Sequence, residues 1–276
     1  MIKLIASDID GTLLKDGGHE LYEEYFEVIQ KLLDHGVAFC AASGRHITGM
    51  TGLFGPVADQ IYYICEGGAL LRTSDHIMKA WSLPQGSYEE LLEETSDIPG
   101  VQVMIDTADC VYVNAGEDSR LFRFIHDGYQ FAVENVSDLT AIPEEEVLKL
   151  SLYSADVHVE ESCADFLASD WMKKLSVAQA GTMWVDAISP KANKGEALKV
   201  LQEHLGVTKE ETVYFGDNLN DLPAFGEAGM TVTVSNARDE VKEQADLIQH
   251  SYRHHGVLQQ LQKILDEIEQ KNSSQK

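Results

Sequence analysis

The sequence predicts an α/β fold, in which a doubly wound, Rossmann-like parallel-sheet core carries an inserted α+β domain. Three observations predict it: apolar strand candidates that end in polar residues, amphipathic helix candidates between them, and a change of pattern in mid-chain. The chain has 276 residues, enough for one large domain or two smaller ones, and 44% of them are hydrophobic, enough to form cores.

The first third of the chain has the pattern of a parallel sheet. Ile2 to Ser7 is almost wholly apolar, as expected of a strand that is covered on both faces. The segment HELYEEYFEVIQKLLDHG then places apolar residues at helical spacing and stops at Gly36. Second and third strands are predicted in VAFCAAS and QIYYIC. Strand, helix and strand in this order indicate βαβ units.

The pattern changes between about Ser82 and Met183. Strand candidates such as VQVMID and CVYVNA stand close together there, and helix candidates such as SRLFRFIHDGY follow them. From WVDAI onward the parallel-sheet pattern returns, with a helix in NKGEALKVLQEHLG and strands in TVYFGD, MTVTVS and ADLIQ. We therefore expect residues 1–81 and 184–276 to form the core and residues 82–183 to form the insertion.

Charge and cysteine content narrow the classes of partner and compartment. With 21 basic and 46 acidic residues, the formal charge of -25 argues against nucleic acid or an anionic membrane surface as partner. No run approaches the roughly 20 apolar residues that cross a membrane, and no signal peptide is evident. The four cysteines lack CxxC spacing, which favours free thiols in a reducing compartment. We expect a cytoplasmic protein, either a monomer or a homodimer.

Four polar clusters stand at or beside predicted strand ends. They are Asp8 with Asp10, Ser43 with Gly44, Lys194, and the GDNLND segment that contains Asp217, Asn220 and Asp221. Each is a weak signal alone, because such acids are usually in solvated turns and such lysines are usually surface charges. Their convergence at the carboxyl ends of strands in one sheet favours a ligand site, since open α/β sheets bind ligands there.

The chemistry of these side chains points to a divalent cation and a phosphate. Asp8, Asp10, Asp217 and Asp221 would repel one another in one crevice without a bound cation, and hard oxygen ligands suit Mg²⁺. A carboxylate such as Asp8 can attack phosphorus when Mg²⁺ and Lys194 neutralise the repulsion between the two anions. Ser43 can bind phosphoryl oxygens, and Asp10 can donate and accept a proton.

These motifs resemble those of the haloacid dehalogenase superfamily of phosphatases, and more narrowly of its Cof-like branch. DIDGTLL is similar to the first family motif, ASGR to the second, Lys194-Gly195 in NKGEAL to the third, and GDNLND to the fourth. The resemblance covers essentially the whole chain, including a large cap between the second and third motifs. It implies that residues 82–183 are that cap and set substrate specificity.

The resemblance also implies a role for each matching residue. Asp8 would be the nucleophile that becomes an aspartyl phosphate, and Asp10 the general acid/base that offers its backbone carbonyl to Mg²⁺. Asp217 would be a direct metal ligand, and Asp221 would be a supporting carboxylate of the metal site. Phosphate would be bound by Ser43, Gly44, Lys194 and Asn220. The segment from Leu13 to about Leu21 corresponds to a short flap.

Three positions leave questions open. Lys191 lies near Lys194, but only Lys194 is followed by glycine and a helical run. Arg45 could contact phosphate or be a surface arginine at a helix start. Gly67 stands where the family often carries asparagine, which removes an amide side chain near the cap.

The leading hypothesis is a Mg²⁺-dependent phosphatase whose partner is a small phosphorylated metabolite, for example a sugar phosphate. A phosphosugar mutase would use the same motifs, and product analysis separates the two. A phospho-accepting receiver-like switch fits less well, because receivers lack the acid two residues after the phosphorylated aspartate and are about half this size. A halide-releasing dehalogenase is excluded, because expelling chloride would leave Asp10 without a role.

Overall fold

The computed structural model describes residues 1–155, 159–180 and 183–274. Its strands form two sheets, of eight and six strands. In chain order the strands are β1 (Leu4–Asp8), β2 (Ala38–Ala42), β3 (Tyr62–Cys65), β4 (Leu70–Arg72), β5 (Ile77–Ala80), β6 (Val101–Asp106), β7 (Val111–Val113), β8 (Val133–Asn135), β9 (Lys149–Ser154), β10 (Ser176–Ala180), β11 (Trp184–Ile188), β12 (Thr212–Phe215), β13 (Met230–Val234) and β14 (Leu247–Gln249). The helices are α1 (Glu23–Asp34), α2 (Ile47–Phe54), α3 (Tyr88–Ser96), α4 (Arg120–Arg123), α5 (Val159–Ser162), α6 (Ala164–Leu167), α7 (Trp171–Lys174), α8 (Lys194–Leu205), α9 (Leu222–Gly226), α10 (Asp239–Lys242) and α11 (Gly256–Ser274).

The larger sheet joins both ends of the chain, which confirms the predicted α/β class. Its strand order is β14-β13-β12-β1-β2-β3-β4-β5, parallel from β14 to β3. β1 lies between β2 and β12, so that Asp8 pairs with Ala42 and Ser7 pairs with Phe215. The polar residues that follow these strands are therefore neighbours, although about 200 positions separate them in sequence.

Helices flank this parallel sheet, as its apolar strands require. α1 buries Tyr25, Val28, Ile29 and Leu32 and packs against β2 and α11. It ends before Gly36, whose φ of +77° is a conformation that glycine adopts without strain. The predicted helix and its predicted end are both confirmed.

The smaller sheet has the order β10-β11-β9-β6-β7-β8, and all of its pairs are antiparallel except β7 with β8. Its two faces follow the period-two alternation of its strands. Leu150, Leu152 and Val185 pack against α3 and α5–α7 on one face. The opposite face carries Lys149 and Ser151, which pair in register with Asp106 and Asp186 of the neighbouring strands. We call this second face the polar face.

The structure differs from two details of the sequence prediction. WVDAI was expected to resume the parallel sheet, but β11 pairs antiparallel with β9 and β10 in the smaller sheet. The hydrophobic pattern of β11 fits either sheet, so only the strands with which β11 pairs decide which sheet it joins. The hairpin of β4 and β5, which adds two antiparallel strands to the larger sheet, was not predicted, because β5 is largely exposed and lacks an apolar pattern.

Two sequence expectations concern features away from the site. All four cysteines are free thiols, as the absence of paired spacing predicted. Within the described part of the chain, every helix is too short or too polar to span a lipid bilayer.

Gly68 and Gly36 offer a matched test of local backbone constraint. Both have positive φ, but a Cβ at Gly68 would overlap the backbone of Asn193, whereas a Cβ at Gly36 would meet nothing within 4 Å. Gly36→Ala should cost about 1–2 kcal/mol, the strain of a left-handed residue. Gly68→Ala should cost more, because it adds a backbone overlap. Urea unfolding measures both free energies, and equal costs would contradict the assigned packing.

Candidate active site

A buried ion pair network joins the end of β1 to the start of α8. Asp8 is the last residue of β1 and is buried, while Lys194 is the first residue of α8 and is fully buried. Lys194 Nζ lies 2.5 Å from Asp8 Oδ1 and 2.7 Å from Asp221 Oδ1. Asn193 caps α8 by accepting a hydrogen bond from the Glu196 N–H, which fixes where the helix begins. Lys194, not Lys191, is thus the lysine of the network.

Asp221 is the most fully bonded carboxylate of this network. Its Oδ1 accepts hydrogen bonds from Lys194 and from the Tyr214 hydroxyl, which lies 2.9 Å away. Its Oδ2 accepts from the backbone N–H groups of Asp217 and Asn218 at 3.0 and 3.1 Å. Both oxygens are therefore engaged, which suits a supporting carboxylate. Tyr214 cannot be identified from the sequence, because its position in an apolar strand gives no sign of a polar contact.

Asp217 lies beside Asp8 on the other side of the network. The Thr12 hydroxyl donates to Asp217 Oδ1 at 2.7 Å, and a Cβ at Gly11 would overlap the Asp217 carboxylate. Glycine, with a φ of +88°, is therefore required between Asp10 and Thr12 for this approach. The loop after β1 and the loop after β12 fit together through these contacts.

The donor set of this cluster fits a divalent cation. One oxygen from each of Asp8, Asp217 and Asp221 lies within 4.8 Å of the others. Asp8 Oδ2 is buried and accepts no hydrogen bond from the described residues. An orphaned carboxylate oxygen next to a second carboxylate is what a hard cation such as Mg²⁺ would satisfy. Asp8 and Asp217 are the side chains with oxygens left for that role.

The pKa shifts of these acids reflect the crowding. Burial raises the pKa of Asp8 well above its ordinary value, and the charges of Asp221 and Asp217 add to the rise while Lys194 opposes it. Burial and the charge of Asp221 likewise raise the pKa of Asp217 to about 6. A cation bound among them would favour the ionised forms and relieve this penalty.

Asp10 lies apart from the buried network and is held by Arg45. The Arg45 Nε and a terminal nitrogen lie 2.7 and 2.6 Å from the two Asp10 oxygens. Arg45 is only 4% exposed and also donates to the carbonyl of Gly18, in the segment that resembles the family flap. The Gly17 N–H donates to Asp10 as well, at 3.0 Å. Arg45 is thus a buried partner of Asp10 and not a surface arginine.

The residues that were expected to bind phosphate do not all lie at the buried site. Ser43 is buried at the end of β2, and its hydroxyl accepts a hydrogen bond from the Arg45 N–H and lies 3.5 Å from Asp10 Oδ2. Gly44 follows it in the same loop. Asn220 is exposed and lies outside the buried network, although it neighbours Asp221 in sequence.

A second buried cluster lies next to Gly44, and none of the four sequence motifs contains its acids or its lysine. Lys149 Nζ, on the polar face of the smaller sheet, lies 2.5 Å from Glu66 Oε2 and 2.9 Å from the Gly44 carbonyl oxygen. Asp106 and Asp186 carboxylates lie 3.7 and 4.0 Å from the same nitrogen. The alternation of polar and apolar residues in KLSLYS is the sequence signal for this cluster, because it indicates a strand with one polar face.

The loop that carries Glu66 departs from ordinary backbone geometry. Glu66 and Gly67 both have positive φ, of 51° and 67°. The glycine that stands in place of the family asparagine therefore occupies a left-handed position. A Cβ at Gly67 would lie 3.7 Å from Ile188, so this loop touches the end of β11.

The cluster around Lys149 predicts a pH dependence of stability. Burial raises the pKa of Asp106 to about 6, against the attraction of Lys149. The unfolded chain ionises Asp106 near pH ~3.9, so the folded protein binds more protons between these values, and its unfolding free energy falls as pH rises through this window. From about pH 4 to about pH 6 the wild type should lose about 2–3 kcal/mol more than Asp106→Asn.

Urea unfolding at a series of pH values measures this difference. Asp165→Asn is the matched control, because Asp165 is an exposed acid of α6 on the other face of the same sheet. Parallel curves for the wild type and Asp106→Asn would count against the raised pKa.

Known proteins match this chain over nearly its full length. The 5-amino-6-(5-phospho-D-ribitylamino)uracil phosphatase YbjI of Escherichia coli is 25% identical over 271 residues, covering 96% of each chain. The HMP-PP phosphatase of Escherichia fergusonii is 24% identical over 255 residues, covering 88% of this chain and 87% of that protein. A crystal structure from Eubacterium rectale superposes with a TM-score of 0.85 and 33% identity, covering 95% of this chain and 99% of that one.

The family model for haloacid dehalogenase-like hydrolases matches residues 5–261. That range spans β1 to α11 and includes both clusters described above. The resemblance drawn from the four sequence motifs is therefore confirmed, and the chain belongs to the family of haloacid dehalogenase-like hydrolases.

Proposed function

We propose that this protein is a Mg²⁺-dependent phosphatase that hydrolyses small phosphomonoesters through an aspartyl-phosphate intermediate. The observation that carries the proposal is the position of Asp8. Its carboxylate stands at the end of the central strand, one oxygen is bound by Lys194, and the other, beside Asp217, accepts no hydrogen bond from the residues that the structure describes. A nucleophile needs this combination of a fixed orientation and an available lone pair.

The proposed reaction has two displacement steps at phosphorus. An Asp8 oxygen attacks the phosphoryl group, the bond from phosphorus to the ester oxygen breaks, and Asp10 gives its proton to the leaving alcohol. Water then attacks the aspartyl phosphate, Asp10 takes its proton, and the bond to the Asp8 oxygen breaks to release inorganic phosphate. Lys194 and the Ser43 hydroxyl would hold phosphoryl oxygens during both steps.

A metal ion would complete the charge balance of this centre. Asp8 and Asp217 would hold Mg²⁺ through their carboxylates, Asp10 through its backbone carbonyl, and Asp221 would support them. The bound cation supplies positive charge against the phosphoryl oxygens, so that an anionic nucleophile can approach an anionic substrate. Thr12 keeps the Asp217 carboxylate oriented for that contact.

Asp10 requires a change of partner before it can act as an acid. Both of its oxygens accept hydrogen bonds from Arg45, so neither is available to the leaving group while this pair persists. A substrate phosphate competes for the Arg45 guanidinium, because both anions match its paired donors. Binding of substrate would thus free the Asp10 oxygens, which would take a proton from solvent and pass it to the leaving alcohol, and Arg45 would become a contact of phosphate as well.

The smaller sheet would act as the cap, with residues 82–183 and the adjoining strand β11 covering the site. Its polar face touches the loop of Ser43 and Gly44 through Lys149, so a bound substrate would lie between the two sheets. The relatives act on a phosphorylated ribitylaminouracil and on HMP-PP, which are small metabolites. We therefore propose a small phosphorylated metabolite as substrate.

Release of inorganic phosphate from a panel of phosphomonoesters tests the proposal. A mutase would instead return an isomeric phosphate ester, so each product mixture is also analysed for phosphate esters. Phosphate release with the free alcohol as the second product supports hydrolysis. Isomeric esters without phosphate release would replace phosphatase by mutase.

Asp8→Asn should abolish turnover without unfolding the protein, because the amide nitrogen and neutral oxygen of asparagine make a poor nucleophile of nearly the same shape. Activity on 4-nitrophenyl phosphate should fall at least about 1,000-fold. The control is Asp59→Asn, since Asp59 is exposed at the end of the turn after α2. Circular dichroism checks the fold, and activity like that of the wild type in a folded Asp8→Asn protein would remove Asp8 from the nucleophile role.

Removal of divalent cations should abolish activity reversibly. EDTA treatment followed by buffer exchange is expected to leave a folded, inactive protein, and added Mg²⁺ should restore phosphate release. Asp217→Asn should require a higher Mg²⁺ concentration for half-maximal activity, by about tenfold or more, because one of the proposed ligands loses its charge. Full activity of the EDTA-treated protein in metal-free buffer would contradict the metal requirement.

A further inference from the structure

The space between the two sheets, which we call the crevice, has one wall from each. On the larger sheet's side, Arg45 holds Asp10 beside the loop of Ser43 and Gly44. On the other side the Tyr129 ring lies over the Arg45 guanidinium, with its centroid 4.9 Å from the guanidinium carbon. Burial raises the pKa of the Tyr129 hydroxyl, and the nearby charges of Asp10, Asp16 and Asp186 raise it further. Tyr129, Arg45, Asp10 and Asp186 therefore lie near one another where the two sheets meet.

Asp186 is an acid on the wall of the crevice that the smaller sheet provides. It lies on the polar face, opposite the helices α5–α7, and its side chain is 20% exposed. Its Oδ2 would be 4.0 Å from a Cβ at Gly44, so the carboxylate faces the phosphate-binding loop. The Ser151 hydroxyl donates to Oδ1 at 2.8 Å and fixes its orientation.

Asp186 is also within reach of a bound substrate. Asp8 pairs in register with Ala42, and Gly44 follows Ala42 by two residues, so the loop below Asp186 adjoins the reacting carboxylate. A group two or three bonds beyond the ester oxygen would lie along the outer edge of this loop, where Asp186 Oδ2 is 4.0 Å from a Cβ at Gly44. Whatever lies next to the phosphate in the substrate therefore meets this carboxylate.

The cations near Asp186 are already committed to other anions. Lys149 lies 2.5 Å from Glu66 and 4.0 Å from Asp186, and its shortest contacts are with Glu66 and the Gly44 carbonyl. Arg45 is paired with Asp10. Two further buried acids, Glu66 and Asp106, share the charge of Lys149. Lys149 thus balances three acids at once, and part of the negative charge of Asp186 is left to act on the crevice.

We propose that Asp186 selects substrates by the group next to the phosphate: its carboxylate accepts hydrogen bonds from hydroxyl or amino groups and excludes a second anionic group. This inference rests on the proposed phosphatase function. An ionised carboxylate only accepts hydrogen bonds, so neutral polyols and amines match it. A second anion at that place meets a like charge in a partly buried site, where the nearest ammonium, Lys149, is shared with Glu66 and Asp106 and offsets the repulsion only in part.

Matched substrate pairs test the inference, because they differ only in one alcohol or carboxylate. The pairs are glycerol 3-phosphate with 3-phosphoglycerate and sorbitol 6-phosphate with 6-phosphogluconate. The wild type should prefer the alcohol of the glycerol pair by about tenfold or more in kcat/KM, measured by phosphate release. Asp186→Asn should lower that preference by about tenfold, and the sorbitol pair should show the smaller effect of a more distant carboxylate.

Two variants complete the design. Asp165→Asn removes an acid from the opposite face of the same sheet and should keep the wild-type preference. Asp186→Ser is a second neutral variant if the asparagine protein does not fold. Equal kcat/KM for both members of the glycerol pair in the wild type, or an unchanged preference in a folded neutral variant, overturns the inference. No phosphate release from any of these esters or from 4-nitrophenyl phosphate overturns the proposed function itself.

Discussion

The pairing of one buried ammonium with two buried carboxylates is the constraint on which the rest of the structure depends. Lys194 is fully buried between Asp8 and Asp221, and a charge in that position is tolerated only with close counter-ions. The three residues come from β1, α8 and the loop after β12. These segments must therefore assemble together, and the larger sheet places β1 beside β12 to allow it.

Further contacts around that pairing fix the orientation of the neighbouring carboxylates more than they stabilise the fold. Tyr214 and two backbone N–H groups occupy the remaining lone pairs of Asp221, while Thr12 orients Asp217. The result is that one carboxylate oxygen, Asp8 Oδ2, is left without a partner among the described residues. An oxygen in that state beside the Asp217 carboxylate is one that a bound cation would satisfy.

The sequence revealed the parts of the site that follow from local pattern. Asp8 ends one apolar strand and Asp217 follows another, Lys194 opens an amphipathic helix, and strand ends of one parallel sheet meet at one edge. Their convergence could be predicted for that reason. β11 was misplaced because five alternating residues fit either sheet, and the partner strand is a property of the whole fold.

The partners of Arg45 and Lys149 could not be predicted from the sequence. Arg45 pairs with Asp10 across 35 positions, and Lys149 contacts Gly44 across 105. A long charged side chain has the same local pattern whether it faces solvent or a buried acid. Asp186 was missed for a related reason, because its place beside Gly44 arises only when the two sheets meet.

The contact of Lys149 with Gly44 and Glu66 has a consequence for how firmly the two sheets associate. Water would solvate this ammonium and its acids well if the sheets moved apart, so hydration gained on separation offsets most of the attraction lost. Such an ionic contact therefore defines the docked orientation but adds little to the strength of docking. The groups that align the two walls of the crevice around a substrate are thus not the groups that hold the two sheets together. A bound substrate can itself supply part of the free energy that keeps the sheets docked.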